Sequence, residues 1–318
     1  MNKIIRLWNQ NRKLFILGIA LLVFLIIIVH VLNDVAKRKN EEKETIKQNK
    51  ILISQEEEEL PTQTKIGGEE IELEKTKENV KEIQDFVDKC NNGDITGAYN
   101  MLTDDCKNAL FPEEKLFKTG YYDTAFSEKK VVEMDNYITK DKRFTYVVRF
   151  YKDSLSTAKV SSMSDYKDYI TIDENKEKGK ININSFIYSK QINQEKEVNG
   201  IKVKIISEEI YLENEKFNIQ IENSTDKDIL IDTNKKEKSV YVVSESNVTY
   251  GSNISEIANT LKKIPSNFYG TYKLQFNKSY ISGAKTLGIV FSDIVPDYTK
   301  YKEDSSQMTQ RVQISVTL

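Results

Sequence analysis

The chain reads as a membrane-spanning helix followed by two folded domains of different class, an α+β domain and an all-β sandwich. Three observations carry that reading. A long uncharged apolar run lies close to the amino terminus; the hydropathy period changes from 3.6 to 2 partway along the chain; beyond Gly200 almost only strand periodicity remains. The 318 residues are enough for about two domains. With 12 Gly and 4 Pro against 39% apolar residues, collagen-like and Pro/Gly-rich disordered classes are excluded.

The apolar run extends from Leu14 to Leu32 without a formally charged side chain. A helix needs about 20 such residues to cross the hydrocarbon core. A cleaved signal peptide is the alternative, but the run exceeds a signal-peptide core. The following Asn33, Asp34, Val35, Ala36 and Lys37 also supply no small-x-small cleavage site. An uncleaved single-pass anchor is therefore expected, with residues 1–13 as a tail. Lys3, Arg6, Arg12 and Lys13 precede the run, and Lys37, Arg38 and Lys39 follow it, so the charge tally alone does not orient it. A short tail stays inside while a large following domain is translocated largely regardless of charge. The expected topology is a cytoplasmic amino terminus with the carboxy-terminal domains extracytoplasmic. His30, at the interfacial end, is the one histidine of the chain and reads as a passive residue.

Residues 33–75 are rich in Lys, Glu, Gln and Thr, and Pro61 and Gly67-Gly68 interrupt any long helix. Too little apolar surface is present to offset ordering entropy, so this stretch reads as a polar linker. Arginine occupies only six positions, leaving 41 of 47 bases as lysine. That bias fits an AT-rich genome and points to a low-GC Gram-positive bacterium.

The first folded domain is placed at 76–197. Val80, Ile83, Val87 and Cys90, with Phe86 beside them, make one apolar helix face. Gly93 ends that helix, and Asp94 caps a second one carrying Ile95, Ala98, Tyr99 and Leu102. Pro112 opens a third helix with Leu116, Phe117 and Tyr121. Then Phe144, Tyr146, Val148 and Phe150 alternate with their neighbours as a strand. A later strand puts Ile181, Ile183 and Ile187 on one face and Phe186 and Tyr188 on the other. Further strands are expected around Val131–Ile138 and Tyr169–Ile172. Helices first and a meandering sheet after is an α+β pattern.

The stretch from Phe86 to Leu102, with Asn91, Gly93, Asp94, Ala98 and Tyr99 in its turn, is followed by Phe111, Pro112, Phe117, Tyr121 and Tyr122. Together they resemble the opening of the nuclear-transport-factor-2-like cone fold, over about 120 residues. The resemblance implies helices packed across a strongly curved antiparallel sheet. That superfamily includes enzymes, ligand binders and structural domains, so the resemblance does not settle function. Its catalytic members typically use an Asp or His inside the cone. This domain has no His, Asp94 matches a structural turn position, and Asp123, Asp135, Asp165 and Asp168 show no spacing that pairs them for acid–base work. No catalytic, cofactor-binding or metal-binding residue is expected, and the chain is not expected to be an enzyme.

Cys90 and Cys106 are the disulfide candidates if the domain lies outside the cytoplasm. Closing a loop of that length contributes about 3 kcal/mol in the entropic model. The alternative is two buried free thiols acting as small hydrophobes. Two thiols without a nearby His make only half a zinc shell.

The second domain is placed at 200–318. Ile201, Val203 and Ile205; Phe217, Ile219 and Ile221; Ile229 and Ile231; Val240 and Val242; Leu274 and Phe276; Leu287, Ile289 and Phe291; and Val312, Ile314 and Val316 each alternate with more polar neighbours. Only Ser255–Lys263 reads as a short helix. About seven short strands point to a β-sandwich of immunoglobulin-like build. The pattern from Phe217 to Ile229 also resembles sandwich modules of bacterial lipoproteins and anchored envelope proteins.

Acids outnumber bases by 49 to 47, so nucleic acid is not expected as a partner, and both glycine-rich nucleotide motifs are missing. The reading is a membrane-anchored, extracytoplasmic protein-binding or scaffold protein of a Gram-positive cell envelope. Its layout of tail, span, spacer and cone resembles assembly-factor subunits of type IV secretion and conjugation machines. The alternative is a sensing protein that takes a small apolar ligand in the mouth of the cone.

Overall fold

The computed structural model describes residues 71–152, 166–231, 239–252, 262–304 and 310–318. All of them fall in the compact unit Pro61–Leu318. The expected span at 14–32 lies outside the described residues, as does the linker up to residue 70. Among the described residues, no helix is long and apolar enough to cross a membrane. The unit is mixed α+β, with three antiparallel sheets.

Helix α1 (Leu73–Asn91) buries Ile83, Phe86, Val87 and Cys90, the face that the three- and four-residue spacing predicts, and also Thr76 and Asn79. Order begins before residue 76, because Ile71 is buried in the same core. The chain turns at Gly93, whose φ of 73° suits a residue without Cβ. Asp94 then caps α2 (Ile95–Asn100), accepting from Gly97 N at 2.9 Å. Thr103 caps α3 (Asp104–Leu110) in the same way through Cys106 N. The expected third helix is broken into α4 (Glu114–Phe117), a π-turn at Lys118–Tyr122 and a short α5 (Asp123–Ala125). Phe117 and Tyr121 are buried, whereas Leu116 is exposed.

Four strands follow in sequence order as the first sheet: β1 (Lys130–Lys140), β2 (Arg143–Lys152), β3 (Tyr166–Asp173) and β4 (Ile181–Asn182). Phe144, Tyr146, Val148 and Phe150 face the helices and complete an aromatic core with Phe86, Phe117, Tyr121 and Phe126. Edge-on contacts such as Phe126–Phe150, with centroids 5.4 Å apart, are the favoured geometry for such rings.

The sequence reading placed Ile181–Tyr188 on one strand of the first domain. The structure breaks it at Asn184 and Ser185, which both have positive φ. There the chain leaves the first sheet, and β5 (Phe186–Val198) pairs with β6 (Ile201–Tyr211) instead. With β7 (Glu215–Asn223) and β12 (Phe268–Phe276) they form a second sheet in the order β12-β7-β6-β5. Asn199 and Gly200, both at positive φ, make the tight turn between β5 and β6.

The third sheet contains β8 (Ile229–Ile231), β9 (Val240–Ser244), β10 (Thr249–Gly251), β11 (Lys263–Ile264), β13 (Thr286–Val295) and β14 (Val312–Thr317). Its order is β10-β9-β13-β8-β11, with β14 also on β13. A last helix, α6 (Tyr298–Glu303), follows β13. The helix expected over 255–263 falls largely outside the described residues, and Lys263 belongs to β11. Alternating apolar side chains of the second and third sheets share one core that includes Ile205, Phe217, Phe276, Phe291 and Ile314. A smaller cluster of Ile138, Ile187, Ile210, Leu212 and Tyr280 joins the first sheet to the second. Strand β6 carries one extra residue against β7 between Ile205 and Ser207.

Candidate functional site

The first notable group is Asp168 on β3. It is buried, and its carboxylate accepts from Tyr121 Oη at 2.8 Å, Tyr169 N at 2.6 Å and Asn184 N at 3.0 Å. The positive-φ pair Asn184–Ser185 turns the Asn184 N–H onto the carboxylate, while the Ser185 N–H donates to the Tyr169 carbonyl at 3.2 Å. Burial pushes Asp168 up to about 6, while these donors pull the other way. The carboxylate therefore ties the π-turn, β3 and the turn between sheets together. With its oxygens engaged, its role here is to hold the chain.

A second polar group fills the end of the two-sheet core nearest the first sheet. Glu215 accepts from Lys278 Nζ at 2.5 Å and from Thr286 Oγ1 at 2.6 Å, and all three residues are buried. Glu208 is buried beside them. Lys190 Nζ lies 2.6 Å from its Oε2, close enough to pair the charges but off the line of a hydrogen bond. Burial first, and then the Glu215 charge, raise the Glu208 carboxyl above its ordinary value. Toward the first sheet, Arg143 stacks 3.8 Å above the Tyr188 ring and donates to Asp173 at 3.0 Å. Tyr280 Oη donates to the Lys140 carbonyl at 3.2 Å. The junction between the halves is thus a polar seam beside an apolar cluster.

The third feature is on the surface. Phe268 and Tyr269 begin β12, 45% and 66% exposed, with their rings stacked at 6.5 Å. β12 ends its sheet, so among the described strands its outer edge is paired only through the Phe276–Ser252 bridge. An open groove of about 360 Å³ lies between α1 and the β3–β4 connection, lined in part by Lys75, Glu78, Glu82, Glu174 and Lys178. Its charges already answer one another, as in the 2.8 Å Lys75–Glu174 pair and the Lys178–Glu78 pair.

The Cys90–Cys106 disulfide is absent from the structure; both are free, buried thiols. Each behaves as a small hydrophobe in the aromatic core, and burial raises both thiols above their ordinary value. Asp94 is a helix cap, Asp123 pairs with Lys118 at 2.7 Å, and Asp135 pairs with Arg149 at 2.6 Å. Asp165 lies outside the described residues. Among the described residues, no group of three His, Cys, Asp or Glu is placed to hold a metal ion.

These features define a mixed α+β unit with antiparallel sheets, buried polar anchors and one exposed aromatic edge. No family model matches the chain, and no curated protein matches it. It is similar to a solved protein of unknown function from Listeria monocytogenes. That likeness has 12% identity and a TM-score of 0.30, and covers 41% of this chain and 84% of the other.

Proposed function

We propose that the chain is a membrane-anchored, extracytoplasmic protein-binding protein of a Gram-positive cell envelope, and that a partner segment lies along β12. The observation that carries this reading is the Phe268–Tyr269 pair at the start of a sheet-edge strand. Edge backbone offers hydrogen bonds to an added strand, and exposed aromatic rings offer contact area at low entropic cost. In this reading Leu14–Leu32 is the anchor, with the amino terminus cytoplasmic. The helices and first sheet act as a nuclear-transport-factor-2-like cone, and the other two sheets as an immunoglobulin-like sandwich. The engaged carboxylate of Asp168 supports a binding rather than a catalytic role.

The test is crosslinking of the full-length protein in native membranes, with neighbours identified by mass spectrometry. A reproducible set of envelope proteins, depleted in an F268S/Y269S variant, is the expected result. Absence of any reproducible neighbour would overturn the reading, as would a set unchanged in the variant for the β12 site.

A further inference from the structure

Helix α1 meets the first sheet through two chemically different halves. Its second half buries Ile83, Phe86, Val87 and Cys90 in the aromatic core. Its first half buries Thr76 and Asn79 instead. Across from them, Asn136 on β1 stands opposite Tyr146 on β2, and Thr139 stands opposite Phe144. Residues opposite each other in a ladder share a face, so Asn136 and Thr139 point to the side that α1 covers. Asn79 Nδ2 donates to Tyr146 Oη at 3.1 Å, and Lys75 Nζ lies 5.8 Å from the Phe144 ring centre. These two contacts place the first turns of α1 directly over this stretch.

None of Thr76, Asn79, Asn136, Thr139 and Tyr146 is more than 4% exposed. Thr76 Oγ1, Asn79 Oδ1, both polar atoms of the Asn136 amide and Thr139 Oγ1 find no hydrogen-bond partner among the described residues. Turning the Asn136 amide over changes nothing, since both of its ends are unpaired. Native interiors keep such atoms few, because each one gives up its hydration without return. Here they gather on the two facing walls of one layer. At its rim Lys75 is held by Glu78 and Glu174.

We propose that the layer between the first half of α1 and β1–β2 is an internal binding site for ordered water. At roughly three hydrogen bonds per molecule, the unpaired atoms suit about two waters. The near-zero exposure of the walls closes the layer to bulk solvent, and its unpaired neutral donors and acceptors suit a small neutral molecule. The first turns of α1 are thus attached through exchangeable solvent, and the last turns through dry packing. The helix detaches from its amino-terminal end first. This inference is independent of the partner-binding reading.

The test uses the full-length protein with T76V/T139V and, separately, N136L, which keep side-chain volume close to the original. Oxygen-17 relaxation dispersion of water reads long-lived internal molecules, and hydrogen exchange read by mass spectrometry reports opening of α1. The expected result is a smaller dispersion amplitude in both variants. Exchange over 73–80 should also rise by about tenfold in T76V/T139V, while 83–91 is unchanged. A dry layer gives the opposite sign: replacing unpaired hydroxyls by methyls would slow exchange and leave the dispersion unaltered. Either of those results overturns the proposal. If the double variant does not fold, T139V alone gives the same opposed signs.

Discussion

Asp168 and Glu208 are buried to nearly the same depth, 3% and 1% exposed, yet they are held in opposite ways. Asp168 is met by backbone N–H groups and one tyrosine hydroxyl, fixed in place by a turn between two sheets. Glu208 is met by a half-exposed lysine and stands beside a second glutamate. Backbone donors cost little further entropy once the turn has formed, whereas a lysine must be immobilised at the end of a long stem. The difference teaches that the first sheet fixes its buried charge by main-chain geometry. The junction does so by balancing side chains against one another.

The sharpest way to break the balanced site is Lys278→Met. It leaves Glu215 buried without its cation, and a loss of about 3–5 kcal/mol at neutral pH is expected in urea unfolding. Adding Glu215→Gln should recover much of that loss, because the uncompensated charge is removed. Next comes the pH dependence of Asp168. Its carboxyl is raised to about 6 in the folded state. The unfolded value is about 3.9, so the favourable contribution is complete below that pH and is lost as pH rises toward the folded value, about 3 kcal/mol in all. Unfolding midpoints of Asp168→Asn across this range should lack that decline.

Arg143→Lys sharpens the comparison at the seam. Loss of the stack on Tyr188 and of the aligned bond to Asp173 is expected to cost about 1–2 kcal/mol, read as a lower midpoint. The smallest effect belongs to F268S/Y269S, which should stay within about 0.5 kcal/mol of the parent because both side chains are largely exposed. Loss of crosslinked neighbours without loss of stability would separate the surface from the buried anchors.

Local periodicity made much of this fold readable. The α1 core face, the Asp94 cap and the alternation along β2, β6, β7 and β14 depend on neighbours within a few positions. Asp168 was in view as an aspartate, but its partners Tyr121 and Asn184 lie 47 and 16 residues away, where spacing carries no signal. Glu215 and Lys278, 63 apart, were silent for the same reason. The strand expected over Ile181–Tyr188 runs through Asn184–Ser185, a consecutive positive-φ pair of the kind that Asn-containing turns favour. Thr76, Asn79 and Asn136 look like solvent-facing residues on composition alone; only the sheet laid across α1 buries them.

The extra residue in β6 decides which of two adjacent buried glutamates turns inward. Ile201, Val203 and Ile205 point into the shared core, and a strand continuing in step would send Ser207 and Glu209 in after them. Instead Ile205 lies opposite Ile219, but Ser207 lies opposite Asn218. The parity of the strand is inverted from there on. Ser207 and Glu209 reach Asn218 on the outer side, while Glu208 and Ile210 turn inward. If Ile206 paired in step instead of bulging, Ser207 and Glu209 would face inward and Glu208, the acid beside Lys190, would turn to the outer side. A single residue of chain length thus acts as the selector for the charge at the junction.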